Sequence, residues 1–275
     1  MSYVQDPQTP QSSSSGSNVV VILLSIFGGL ALVGLLICGG LAFTFYSAGR
    51  TMVAAMEEVS AENNLRSVGL ALHNYHDAFK RVPAPSAVNS NDEPVWSWRV
   101  SLLPFLESNE EFNPADVFGK HMQQGGNLMR PWDDESNPLL QGPAPPVFRT
   151  GLSKAPTNEC HVFLITARTD DKPAPMFVDG KYTRFAEVAD GLSNTIMAIQ
   201  FREYSRPWAA PNTMTADEAY TQIQVETKPC YVLMGDGSVF PLDKNVSRSD
   251  FDALVSRNGG EIIRLPEADP TEVYK

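Results

Sequence analysis

The longest feature of the hydrophobic pattern is an uncharged run from Val19 to Tyr46, bounded by Asp6 on one side and Arg50 on the other. About 20 apolar residues cross a bilayer core of roughly 30 Å as a helix, and a longer run can span with tilt. The pattern therefore predicts a transmembrane helix over 19–46, preceded by a disordered polar tail over 1–18 rich in Pro, Gln and Ser. A cleavable signal peptide fits less well, because residues 1–18 hold no Lys or Arg and the apolar stretch is too long. Gly28, Gly29, Gly34, Gly39 and Gly40 are read as ordinary membrane-helix glycines.

The pattern then changes period without a break. No proline occurs between Pro10 and Pro83, and Leu65, Val68, Leu72, Tyr75 and Phe79 are spaced 3, 4, 3, 4, one stripe of a helix. This predicts an amphipathic continuation over 47–82, stopped by Val82-Pro83. From 83 to 275 the pattern shortens. Ser97 is placed to cap a helix from Trp98 to Glu107 that Pro104 would interrupt. Val162–Ala167, Thr195–Phe201 and Tyr231–Met234 read as strands. Asp236-Gly237 turns the last of these into Ser238–Leu242, so 230–242 reads as a hairpin. Ser249-Asp250 is expected to cap a final helix with Phe251, Leu254 and Val255 inward, closed by Asn258-Gly259-Gly260. Ile262–Leu265 completes the set as a strand. The expected fold class is α+β, with a long N-terminal helix, transmembrane in its first half, packed on an antiparallel β-sheet head.

Charge and composition narrow the function classes. The chain is acidic, with a formal net charge of −11 and pI near 4.8, and lacks the basic footprint that nucleic acid demands. Of three cysteines, Cys38 lies in the apolar run, and Cys160 and Cys230 form the only candidate disulfide. No CxxC spacing is present.

Catalytic signatures are sparse. His73 and His76 stand at i, i+3 with Asp77 beside them; a metal would need a further ligand such as His121 or His161, and a polar edge on a packing helix is the simpler reading. Asp190-Gly191 and Asp236-Gly237 lack the oxygen spacing of a calcium loop and read as turns. No Gly-x-Ser-x-Gly surrounds Ser193 or Ser238. Cys160 and His161 are adjacent, so a strand would point them apart. Trp96, Trp98, Trp132 and Trp208 are read as core, with a glycan groove as the other use of such rings. No cofactor fingerprint and no enzyme motif is found.

Several blocks carry a family resemblance. NNLRSVGLALHNYHDAFKRVPA (Asn63–Ala84) holds Asn64, Leu72, His73, Tyr75 and His76. SWRVSLLPFLE holds Trp98, and RPWDDESNPLL holds Trp132. DGLSNTIMAIQ holds Asp190, Gly191, Ser193, Asn194 and Thr195. RPWAAP begins at Arg206, and MGDGSVFPLDKNVSRSDFDALVSRNGGEII holds Asp236, Gly237, Ser238, Gly259, Gly260 and Glu261. In this order, over about 62–263, the blocks resemble the bacterial domain-of-unknown-function family 1559. That resemblance implies a type IV pilin or type II secretion pseudopilin-like layout with the head on the outer side of the cytoplasmic membrane. Arg50 and Arg66 alone would put the head inside, but beside Glu57, Glu58 and Glu62 they barely bias insertion. The chain departs from the prepilin pattern at Gly16–Val21, which has no preceding basic residue, no Phe and no Glu; a fixed tether is expected rather than a processed pilin. The implied function is that of a single-pass, pseudopilin-like envelope protein, non-enzymatic, with membrane lipid and envelope proteins as partners and no nucleic acid. The alternative is a tethered extracytoplasmic binding module for a small molecule or glycan.

Overall fold

The computed structural model describes residues 15–108, 113–150, 155–170 and 172–261, and the chain divides into two units, 1–54 and 55–275. The elements, in order, are α1 (Ser15–Phe79), β1 (Ser86–Val88), β2 (Pro94–Ser97), α2 (Trp98–Leu102), α3 (Pro114–Gln123), β3 (Glu159–Cys160), β4 (Val162–Phe163), β5 (Thr166–Ala167), β6 (Phe177–Val178), β7 (Ile196–Gln200), β8 (Arg206–Pro207), α4 (Ala216–Val225), β9 (Cys230–Met234), β10 (Val239–Leu242) and α5 (Arg248–Val255).

The first unit corrects the reading of the apolar run. Among the described residues no helix is long and apolar enough to cross a membrane. The expected fold class, a pilin-like long helix with a transmembrane first half, does not stand, and neither do the membrane and single-pass assignments built on it. The expected tail over 1–18 lies outside the described residues up to residue 14, and Ser15–Asn18 are helical.

In the second unit the part of α1 that packs is short, covering 58–79. Ala61, Leu65, Val68, Ala71 and Leu72 are buried there, the expected stripe with alanines filling its edge. They cover an antiparallel four-stranded sheet of order β10-β9-β7-β4. Val239 pairs with Leu233, Val232 with Ile199, and Gln200 with Val162. Gly69 lets helix and sheet meet: a Cβ there would lie 2.8 Å from a Leu233 methyl. Both central strands are buried along their whole length, which is why they read as continuous apolar runs rather than alternating ones.

The hairpin over 230–242 and the strand within 195–201 form as expected. The other short elements differ in ways the hydrogen bonds explain. Val162–Ala167 is two strands, because the chain changes partner: the Met214 amide donates to Leu164 O, and the Thr166 amide to Met214 O. β4 stays in the main sheet, while β5 pairs in parallel with β6. Ser97 does cap α2, accepting from the Arg99 amide. That helix ends at Leu102, and a 3-10 turn over Leu103–Phe105 follows with Pro104 in its first turn. The final helix is capped by Ser247, not Ser249: Ser247 has the extended backbone of a cap, and its Oγ accepts from the Asp250 amide at 3.1 Å. The expected strand Ile262–Leu265 lies outside the described residues. Two further helices, α3 and α4, complete the unit; α4 packs on α5 through Tyr220 and Phe251, their rings 5.6 Å apart.

Candidate functional site

The residues of the family-like blocks are brought together as ties between α1, the sheet and the loops. On α1, the His73 ring nitrogen Nε2 bonds Gly235 O at 2.9 Å, just before the β9–β10 turn. His76 stacks on Phe185 with centroids 4.0 Å apart and receives the Phe185 amide on Nε2. Burial lowers the His76 pKa, with Asp77 opposing. Tyr75 packs edge-on against Phe105. Among the described residues no three His, Cys, Asp or Glu side chains gather as metal ligands; the histidine pair clasps two loops, and His121 and His161 sit on α3 and between β3 and β4.

Asp190 and its neighbours form a second tie. The Asp190 carboxylate accepts the Gly259 and Gly260 amides at 2.8 and 2.9 Å and the Ser256 hydroxyl at 3.1 Å. Thr195 Oγ1 donates to Ser256 O, and Asn194 Nδ2 to Asp190 O. Gly191 and Gly260 hold φ of 91° and 85°, where a Cβ is strained. Ser193 lies in the 3-10 turn between these groups. Asp236 caps its own turn, accepting the Ser238 amide and hydroxyl, with Gly237 at φ 89°. Glu261 is exposed at the end of this segment.

Arg99 is a hub that the hydrophobic pattern of the sequence does not mark. It is fully buried. Its Nε and Nη2 donate to Val162 O, and its Nη1 reaches Ser97 Oγ at 2.9 Å, Asn212 Oδ1 at 3.0 Å and Trp208 O at 3.4 Å. None of these partners is a carboxylate, so burial lowers the Arg99 pKa, with the Cys160 thiol opposing. The signal lay in the Ser-Trp-Arg and Pro-Trp blocks, which meet here, but nothing in a linear pattern marks an arginine as buried.

Cys160 and Cys230 are both buried and both free, so the candidate disulfide is corrected. They lie in β3 and β9, strands of different sheets. Burial pushes both thiols up, and Cys230 Sγ bonds Leu242 O instead. Trp98 and Trp208 are core, Trp96 Nε1 donates to Leu128 O, and Trp132 is packed against the core.

Two concave regions stand out among the described residues. One, of about 470 Å³, lies along α1 at Ala55, Met56, Val59, Ser60, Asn63 and Asn64. The helix is pinned here. Glu58 meets Arg202 Nη2 at 3.2 Å and Lys228 Nζ at 3.9 Å, and Asn64 Nδ2 donates to Pro146 O and Arg149 O. Glu226, buried, accepts the amides of Arg202, Glu203 and Tyr204 and so holds Arg202 in place. Tyr231 beside them is pushed up to about 12 by burial and then by Glu58. Met56 and Val59 are left 69% and 59% exposed. The second region, of about 420 Å³, lies between β5, the start of α4, and α5.

The fold and these ties define a mixed helix and antiparallel-sheet protein whose quoted blocks hold the chain together. The chain belongs to the family described as protein of unknown function (DUF1559), whose model matches residues 55–228. The match begins before the Asn63 block and ends before the Met234 block. No curated protein and no solved structure matches the chain.

Proposed function

We propose that this is a non-enzymatic protein that acts through contacts with other proteins, cell-envelope proteins among them, and that the contact surface is the outer face of α1 at residues 55–64. What supports this reading is one observation: Met56 and Val59 stand out beside a groove on a helix that Glu58 fastens from the opposite side and Asn64 fastens at the groove's end. Large apolar side chains in a contiguous exposed strip mark interaction surfaces more often than chance surface composition does. The reading calls for no cofactor and no nucleic acid. It is tested by placing a photo-crosslinking residue at Met56 or, as a control, at exposed Ser90 in the full chain in its native cells. A discrete protein adduct is expected at 56, absent at 90 and abolished by Val59→Asp. Equal labelling at both positions, or an adduct indifferent to Val59→Asp, overturns it.

A further inference from the structure

The cavity between β5, α4 and α5 is small enough and polar enough to be a ligand site, and its charges are arranged unusually. Small-molecule sites run from about 300 to 1,000 Å³, mostly apolar with a few placed polar groups; this one is about 420 Å³. Its apolar wall comes from Pro175 and Val255. Four charged side chains line it: Arg168, Arg248, Asp217 and Asp252. Two positive and two negative groups sum to no net charge, in a chain that is otherwise acidic.

These four groups are not equally committed. Arg248 lies between the two carboxylates, with Nη2 at 2.5 Å from Asp217 Oδ1 and Nε at 2.8 Å from Asp252 Oδ2. Both contacts raise its pKa, Asp252 first. It is therefore a fixed cation that a ligand does not capture without breaking two ion pairs. Arg168 is exposed and makes no hydrogen bond or ion pair among the described residues. The Asp217 side chain, bonded to Arg248 through one oxygen, is 81% exposed, leaving the other oxygen available. The cavity thus offers one uncommitted guanidinium and one available carboxylate oxygen around an apolar wall.

We propose that this cavity binds a free α-amino acid with an aliphatic side chain. Arg168 takes its carboxylate as a planar two-donor fork, Asp217 takes its ammonium, and Pro175 and Val255 meet its side chain. A simple anion finds Asp217 and Asp252 against it, and a simple cation finds Arg168 and Arg248. Only a molecule carrying both charges satisfies both sides.

Calorimetric titration of the full chain with leucine, valine and alanine tests this, with isovalerate and isobutylamine as the matched carboxylate and amine. Saturable heat is expected from leucine and not from either analogue. Arg168→Ala and Asp217→Asn are each expected to weaken binding by about tenfold, the loss of one charge-assisted contact. Circular dichroism of each variant separates lost binding from lost folding, and Lys181→Ala, outside the cavity, is expected to bind as the parent chain does. No heat from any of the three amino acids overturns the proposal. So does binding of isovalerate or isobutylamine as tight as that of leucine, or leucine binding unchanged in both folded cavity variants.

Discussion

At the scale of single residues, the buried polar groups show how a side chain's role depends on what surrounds it. His161 lies fully buried between β3 and β4, its amide donating to Phe148 O and its carbonyl accepting from the Phe201 amide. Burial, and then the Arg149 charge, lower its pKa to about 4. The native chain therefore keeps this ring neutral where the unfolded chain protonates it, near pH 6.5. Its stabilising contribution is complete above about pH 6.5 and falls as pH drops toward 4, by at most about 3 kcal/mol. Urea unfolding at pH 7.5 and pH 4.5 is expected to show this loss in the parent chain and a flatter dependence in His161→Gln; an equal slope in both places the acid sensitivity elsewhere. Histidine spacing was visible in the sequence, but spacing alone suggests a ligand set. Only the positions of Gly235 and Phe185 turn His73 and His76 into a clasp. Arg99 makes the same point, since an arginine next to a tryptophan is ordinary until four neutral acceptors, three of them from distant segments, converge on it.

At the scale of elements, the heptad-like stripe of α1 was the most legible feature. Leu65, Val68 and Leu72 repeat at helical spacing, and all three are fully buried. Leu72→Ala is expected to cost about 2–5 kcal/mol, the range for deleting a buried leucine side chain, measured as a fall in the urea midpoint with an unchanged slope. The hairpin over 230–242 was legible for a similarly local reason, the Asp236-Gly237 turn between apolar runs. The α4 start was legible in principle, since Thr215 and Glu218 form a reciprocal capping box. The split of Val162–Ala167 was not. Whether a six-residue apolar run stays with one partner depends on Met214, some fifty residues away. The cap of α5 was misplaced by one choice between two serines, which only backbone geometry separates.

At the scale of the whole molecule, the cysteines give a direct test. All three are free, with Cys160 and Cys230 buried and Cys38 exposed. A thiol-reactive reagent is expected to label the native chain at Cys38 and to reach all three after denaturation without reductant. Fewer than three reactive thiols in the denatured chain would mean that a bridge had formed. The sequence by itself determined what depends on neighbours along the chain: the packing stripe, the tight turns, the Ser97 cap and the blocks that carry family membership. Tertiary structure decided what depends on distant segments meeting. It left Cys160 and Cys230 in separate sheets, buried Arg99 among neutral acceptors and put Trp98 and Trp208 in the core. It also brought Arg168 and Asp217 to one cavity. Propensity and period act over a few residues, whereas burial, charge pairing and cavity shape are set by chain segments that only folding places side by side.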